Sequence, residues 1–152
     1  MTKILRILFL YFFLSSCAYE PILLKKNYDF NFTNINFNGD KGINKVIKKK
    51  LIDGTDNVSV NNFELYFNTK KEKKIISSNK KGDPAIYKIN IDLNYNIKQD
   101  GKIILKNEIV KQATYNNIDD KFELLKYEQS VLINLSEKLS EDILISTASL
   151  LK

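Results

Sequence analysis

Among its 152 residues the chain has no histidine, no tryptophan, one cysteine (Cys17) and one arginine (Arg6). Without a second cysteine no disulfide can close within the chain. Without histidine there is no Cys/His zinc site, and neither metal nor cofactor is expected. Ser-His-Asp and Cys-His nucleophilic mechanisms both lack their base. Only five glycines occur, with no glycine-rich run to cradle a phosphate. Composition thus removes much of enzyme chemistry at the outset.

The remaining composition is that of one ordinary globular domain, 43% apolar and 28% charged. Positive charge exceeds negative by six, and all of it except Arg6 is lysine. Lysine, asparagine and isoleucine usage follows an AT-rich genome, which accounts for part of the basic balance. An anionic partner is the other account of it.

The opening "MTKILRILFLYFFLSSC" sets Lys3 and Arg6 before an apolar run, Ile7 to Leu14. This is the charged and apolar order of a secretory signal peptide, and the run is much shorter than the ~20 residues a membrane span needs. A buried N-terminal helix or strand would carry polar residues on one face, and Ile7 to Leu14 carries none. Leu14-Ser15-Ser16-Cys17 then resembles a bacterial lipobox. The expectation is a signal peptide over residues 1–16, cleaved to leave a lipidated Cys17 and a tether to residue 27. One domain would fill 28–152. Ala18, where an aspartate commonly retains lipoproteins at the inner membrane, favours a lipid-anchored place on the periplasmic side of the cell outer membrane. Loss of Lys3 and Arg6 lowers the charge from +6 to +4, and an exported domain is a poor match for nucleic acid.

Within the domain, "YDFNFTNINFNGD" alternates, with a parity slip near Thr33-Asn34 that predicts a β-bulge. From Asp40, Ile43, Val46, Ile47 and Leu51 recur at helical spacing. Asp40 is the N-cap, Lys45, Lys48, Lys49 and Lys50 form a solvated face toward the C-terminal end of the dipole, and Gly54 ends the helix. "NFELYFN" is the next strand. The window that follows holds Lys70, Lys71, Lys73, Lys74, Lys80 and Lys81 and reads as a mobile loop between strands. It is either merely solvated or in contact with an anionic amphiphile.

"AIYKINIDLNYNIKQ" alternates throughout, apolar at odd and polar at even positions, as a strand wet on one side does. The next strand, from about Lys102 to Asn116, also places its apolar residues at odd positions. Odd-with-odd pairing calls for a three-residue loop, Gln99-Asp100-Gly101. From Asp120 the chain reads as one long helix, with Asp120 and Glu123 as a capping box. Its apolar stripe comprises Phe122, Leu125, Leu132, Leu135, Leu139 and Ile143. The predicted fold is α+β: a two-layer sandwich of order βαβββα, with a four-stranded mixed/antiparallel sheet and both helices on one face. Asp119-Asp120 and Glu137 with Glu141-Asp142 are the nearest acidic clusters, and capping and helix-surface roles account for them without catalysis.

In order and spacing these pieces resemble the LPS-assembly lipoprotein LptE family, alphaproteobacterial type. The stretches that carry the likeness are "CAYEP", "INFNGDKGINKVIKKKL", "YKINIDLNYNI" and the Tyr-Asn step into the C-terminal helix. Where the family places arginines this chain places lysines, so no contact residue is carried over. The resemblance implies a non-enzymatic protein with two partners. One is an LptD-like outer-membrane β-barrel, which it plugs and helps assemble; the other is lipopolysaccharide, for whose phosphates the charge of the window, rather than the resemblance, offers the six lysines as contacts. The alternative from a different class is a periplasmic lipid-binding or transporter-accessory lipoprotein with a pocket between helix and sheet.

Overall fold

A computed structural model of the chain describes residues 28–151. The expected signal peptide, acylation of Cys17 and tether all lie outside the described residues. The elements are β1 (Asn31–Gly39), α1 (Lys41–Gly54), β2 (Asn62–Ser78), β3 (Pro84–Gln99), β4 (Lys102–Asn116) and α2 (Lys121–Ala148), closed by a 3₁₀ turn (Ser149–Leu151). The predicted βαβββα order and α+β class are therefore observed. The sheet runs β1-β2-β3-β4, with β1 parallel to β2 across the α1 crossover and the other pairs antiparallel.

Alternation decides the layers. Leu65 and Phe67 of β2 lie in register with Ile97 and Tyr95 of β3, Phe63 of β2 with Phe32 of β1, and all are buried. Ile43, Ile47 and Leu51 of α1 and Leu135, Leu139 and Ile143 of α2 close over the same face. Full burial of each such side chain is worth roughly 1.5–3 kcal/mol. The even positions of β2, β3 and β4 make the opposite, uncovered face. The parity slip in β1 falls where expected, between Phe32 and Asn34, and the hydroxyl of bulged Thr33 donates to Phe63 O at 3.2 Å.

The β1–α1 junction is a polar knot that the apolar pattern does not reveal. Gly39 adopts φ +99°, and a Cβ there would lie 1.9 Å from the carbonyl oxygen of Thr69, so only glycine fits. Asp40 caps α1 as predicted, its Oδ1 accepting from Gly42 N and Ile43 N. Asn44 is buried, with Nδ2 donating to Asn38 O and Oδ1 accepting from Thr69 Oγ1.

Several expectations need correction. Gly54 is the last helical residue of α1 rather than a left-handed stop. The backbone turns at extended Thr55, whose hydroxyl donates to Leu51 O. Gly54 also lets α2 pack closely: a Cβ would stand 2.8 Å from Leu144 Cδ1, so a larger residue would require that side chain to shift. The lysines of α1 stop before its final turn, which holds no basic residue. The β3–β4 connection is a two-residue turn, because Gln99 pairs with Lys102 and both Asp100 (φ 51°) and Gly101 (φ 77°) are left-handed, as a type I′ turn requires. The extra residue that restores odd-with-odd pairing sits in β4 itself. Ile97 faces Leu105 while Lys98 faces Ile103, leaving Ile104 as a bulge. In α2 the first turns present a different stripe. Leu124 is buried at 8% exposure, whereas Phe122 (63%) and Leu125 (54%) face solvent. Asp120 caps the helix, but Glu123 pairs with Lys126 Nζ at 3.1 Å instead of returning to the cap. Buried Ser136, Ser140 and Thr147 complete the inner face, each donating its hydroxyl to the carbonyl four residues back.

Candidate functional surface

The basic window is not a mobile loop. β2 continues through it to Ser78, with Lys70 opposite Asp92, Lys73 opposite Ile89 and Lys74 opposite Lys88. The sixteen-residue β3 supplies a partner for every one of these positions, and backbone pairing is indifferent to lysine side chains that reach water. The parity Phe63-Leu65-Phe67 simply runs on through Thr69, Lys71, Lys73 and Ile75. That continuation was the signal available in the sequence, masked by the change from apolar to charged residues.

Alternation therefore splits the six lysines. Lys71 and Lys73 lie on the helix side, where Lys71 Nζ meets Asp40 Oδ2 at 3.3 Å and Lys73 pairs with Glu128 of α2. Lys70 and Lys74 lie on the uncovered face, Lys74 paired with Glu72 at 3.0 Å. Lys80 and Lys81 occupy the β2–β3 turn, which Asn79 holds by accepting from Lys81 N and Asp83 N. Among the described residues, Lys70, Lys80 and Lys81 form no ion pair.

Lys73 anchors an aromatic cluster, its Nζ 4.3 Å from the Tyr87 ring centroid and 5.8 Å from that of Tyr115. Tyr87 stacks on Tyr115, and Tyr127 of α2 tilts against the latter. Burial opposes the charge on Lys73, but Glu128 and the Tyr115 hydroxyl outweigh it and raise its pKa above the ordinary 10.5. Burial raises the pKa of Tyr115, with Glu128 adding to the rise and Lys73 opposing it.

The uncovered sheet face is dominated by amides. Asn36, Tyr66 and Asn96 share one row across β1 to β3, and Asn38, Asn68 and Asn94 share the next. Together they line a shallow depression of about 390 Å³. Two acceptors on this face, Asn90 Oδ1 and Asn96 Oδ1, are screened from water by their neighbours and have no hydrogen-bond partner. Behind the sheet, the space a lipid pocket would occupy is filled by Phe30, Ile47, Leu51, Leu93, Leu139 and Ile143, all fully buried.

Asp120 caps α2 as expected, and Asp142 of α2 pairs with Lys111 of β4 at 2.6 Å. Among the described residues no group of histidine, cysteine, aspartate or glutamate could hold a metal ion, and no helix is long and apolar enough to cross a membrane.

No protein-family model and no curated protein sequence matches the chain. Solved structures do. Rare lipoprotein B from Shewanella oneidensis superimposes with a TM-score of 0.57 at 15% identity, over 76% of this chain and 94% of that one. Lipoprotein B from Nitrosomonas europaea gives 0.59 at 11% identity, over 84% and 90%. A minor lipoprotein from Acinetobacter baumannii gives 0.53 at 8% identity, over 79% and 93%. At these identities the likeness is one of fold, and it extends over nearly the whole of each lipoprotein.

Proposed function

We propose that the chain is a lipid-anchored protein of the outer membrane that plugs, and helps assemble, an LptD-like β-barrel through which lipopolysaccharide passes. The observation that carries this reading is a filled core backed by a polar, asparagine-rich sheet face. A barrel lumen is polar and wet, and a rigid domain offering amides toward it satisfies hydrogen bonds on both sides without needing an apolar seal. The fold shared with three bacterial lipoproteins supports an anchored, exported protein, as does the lipobox ending at Cys17. No catalytic step is assigned to it. Lys70, Lys80 and Lys81, outside ion pairs, and Lys74 beside them are the groups placed to meet lipid A phosphates, whereas Lys71 and Lys73 are engaged by α1 and α2. The filled interior gives no support to a lipid carrier with a pocket between helix and sheet.

Affinity purification of the chain from outer membranes, with identification of what comes with it, tests the proposal. A large barrel protein is the expected companion, and a chain recovered without one would sink the idea. Cys17→Ser should at the same time abolish incorporation of labelled palmitate.

A further inference from the structure

The sheet has a step in it. β1 stops at Gly39, paired with Thr69, but β2 runs nine residues further, from Lys70 to Ser78. Over that length β2 is paired only with β3, so among the described residues its outer backbone edge is open. Such an edge presents a row of unpaired N–H and C=O groups. It begins at the residue where the lysines begin. Lys70, Lys71, Lys73 and Lys74, against Glu72 alone, are the device by which edges repel unwanted strands, including a second copy of the same edge.

A second, independent feature lies beside the step. On the helix side, a groove of about 260 Å³ opens between α1 and α2, lined by Ile43, Val46, Leu132 and Ile133, with Asp40 and Lys71 among its walls. Ile133 is exposed there. A strand extending the line of β1 beyond Gly39 would alternate its side chains between this groove and the face that carries Lys70 and Lys74.

We propose that this step is a docking slot for an extended segment of a partner protein. The segment adds as a fifth strand along Lys70–Ser78, placing apolar residues in the α1–α2 groove and alternating carboxylates against Lys70 and Lys74. Main-chain bonds supply the affinity, and the groove and lysines supply the selection. The chain's own residues 18–27, with Lys25 and Lys26 against Glu20, do not complement four lysines.

The test uses the detergent-solubilised full chain and a capped octapeptide of alternating valine and glutamate. The expected results are binding by fluorescence anisotropy and slowed hydrogen exchange at amides between Lys70 and Ser78. The double variant Lys70→Glu/Lys74→Glu, both positions exposed and so compatible with folding, should weaken binding by about tenfold or more, as should Ile133→Asp in the groove. A valine–lysine octapeptide should not bind. Methylating alternate backbone nitrogens of the valine–glutamate peptide should remove binding too, because side chains alone do not make the strand. Four results would each overturn the proposal: undiminished binding of the methylated peptide, protection at the β4 edge instead, edge amides already protected in the free chain, or no binding at all.

Discussion

Thr69 Oγ1 donates to Asn44 Oδ1 at 2.6 Å while accepting from the backbone N–H of Asp40 at 3.2 Å, so one buried hydroxyl ties β2 to the start of α1. Replacing it with a methyl leaves a buried acceptor stranded. Thr69→Val should lower stability by about 1–3 kcal/mol in chemical denaturation. Adding Asn44→Leu, which removes the stranded amide, should cost less than the sum of the two single changes. Additive losses in that double-mutant cycle would show that the two side chains act independently.

That knot also marks a limit of what the sequence discloses. The βαβββα order, the β1 bulge and both helix caps were readable because apolar alternation, helical spacing and aspartate placement are local signals. Asn44 shares helical spacing with Ile47 and Leu51, but an amide at such a position is not by itself a sign of burial. What spacing does not encode is the tertiary meeting with Thr69 and Asn38 that satisfies the buried amide. The same holds at the start of α2. A stripe drawn through Phe122 and Leu125 is good helical arithmetic, yet the helix's actual approach to β4 selects Leu124. The lysine window reads as a loop, and folds as a strand, for a physical reason: charge usually marks loops, but a strand edge lacking one neighbour also needs charge.

Asp40 joins a helix cap to an ion pair. The Ile43 amide does most to hold its carboxyl below the ordinary 3.8, against burial that pushes it up, with Lys71 adding to the lowering. A folded pKa below the unfolded one means that this stabilisation is present above about pH 4 and is lost as pH falls through the folded value. Asp40→Asn keeps a cap acceptor and drops the charge. It should cost under about 1 kcal/mol at pH 7, and its loss of stability on acidification should be shallower than that of the parent chain. Parallel curves for the two between pH 5 and 2 would refute the assignment.

Tyr115 places its hydroxyl in a buried position with no well-formed hydrogen bond, between Lys73 and Glu128. Removing an unsatisfied buried group is nearly neutral or favourable, so Tyr115→Phe should leave stability unchanged or raise it by about 1 kcal/mol. The folded pKa of Tyr115 lies above the ordinary 10.0, so its contribution is present below pH 10 and fades as pH rises through the folded value. The variant should therefore lose less stability than the parent between neutral pH and pH 11. A clear loss at pH 7 would mean that the hydroxyl is satisfied after all.

The β3–β4 hairpin offers a sharper test of where register is set. Odd-with-odd pairing needs one residue more than a two-residue turn provides, and that residue can sit in the turn or in a strand. It sits at Ile104: the Lys98–Ile103 and Ile97–Leu105 pairs flank it directly. Deleting Ile104 should join those pairs, leave the type I′ turn at Asp100-Gly101 intact and keep every inward side chain inward, at a cost of about 1 kcal/mol or less. Deleting Val110 instead removes a residue from the middle of the ladder and sends the rest of β4, with Tyr115, to the wrong face. The first variant should unfold cooperatively near the parent midpoint, and the second should fail to fold. Equal damage from both would place the parity correction in the turn rather than in the bulge.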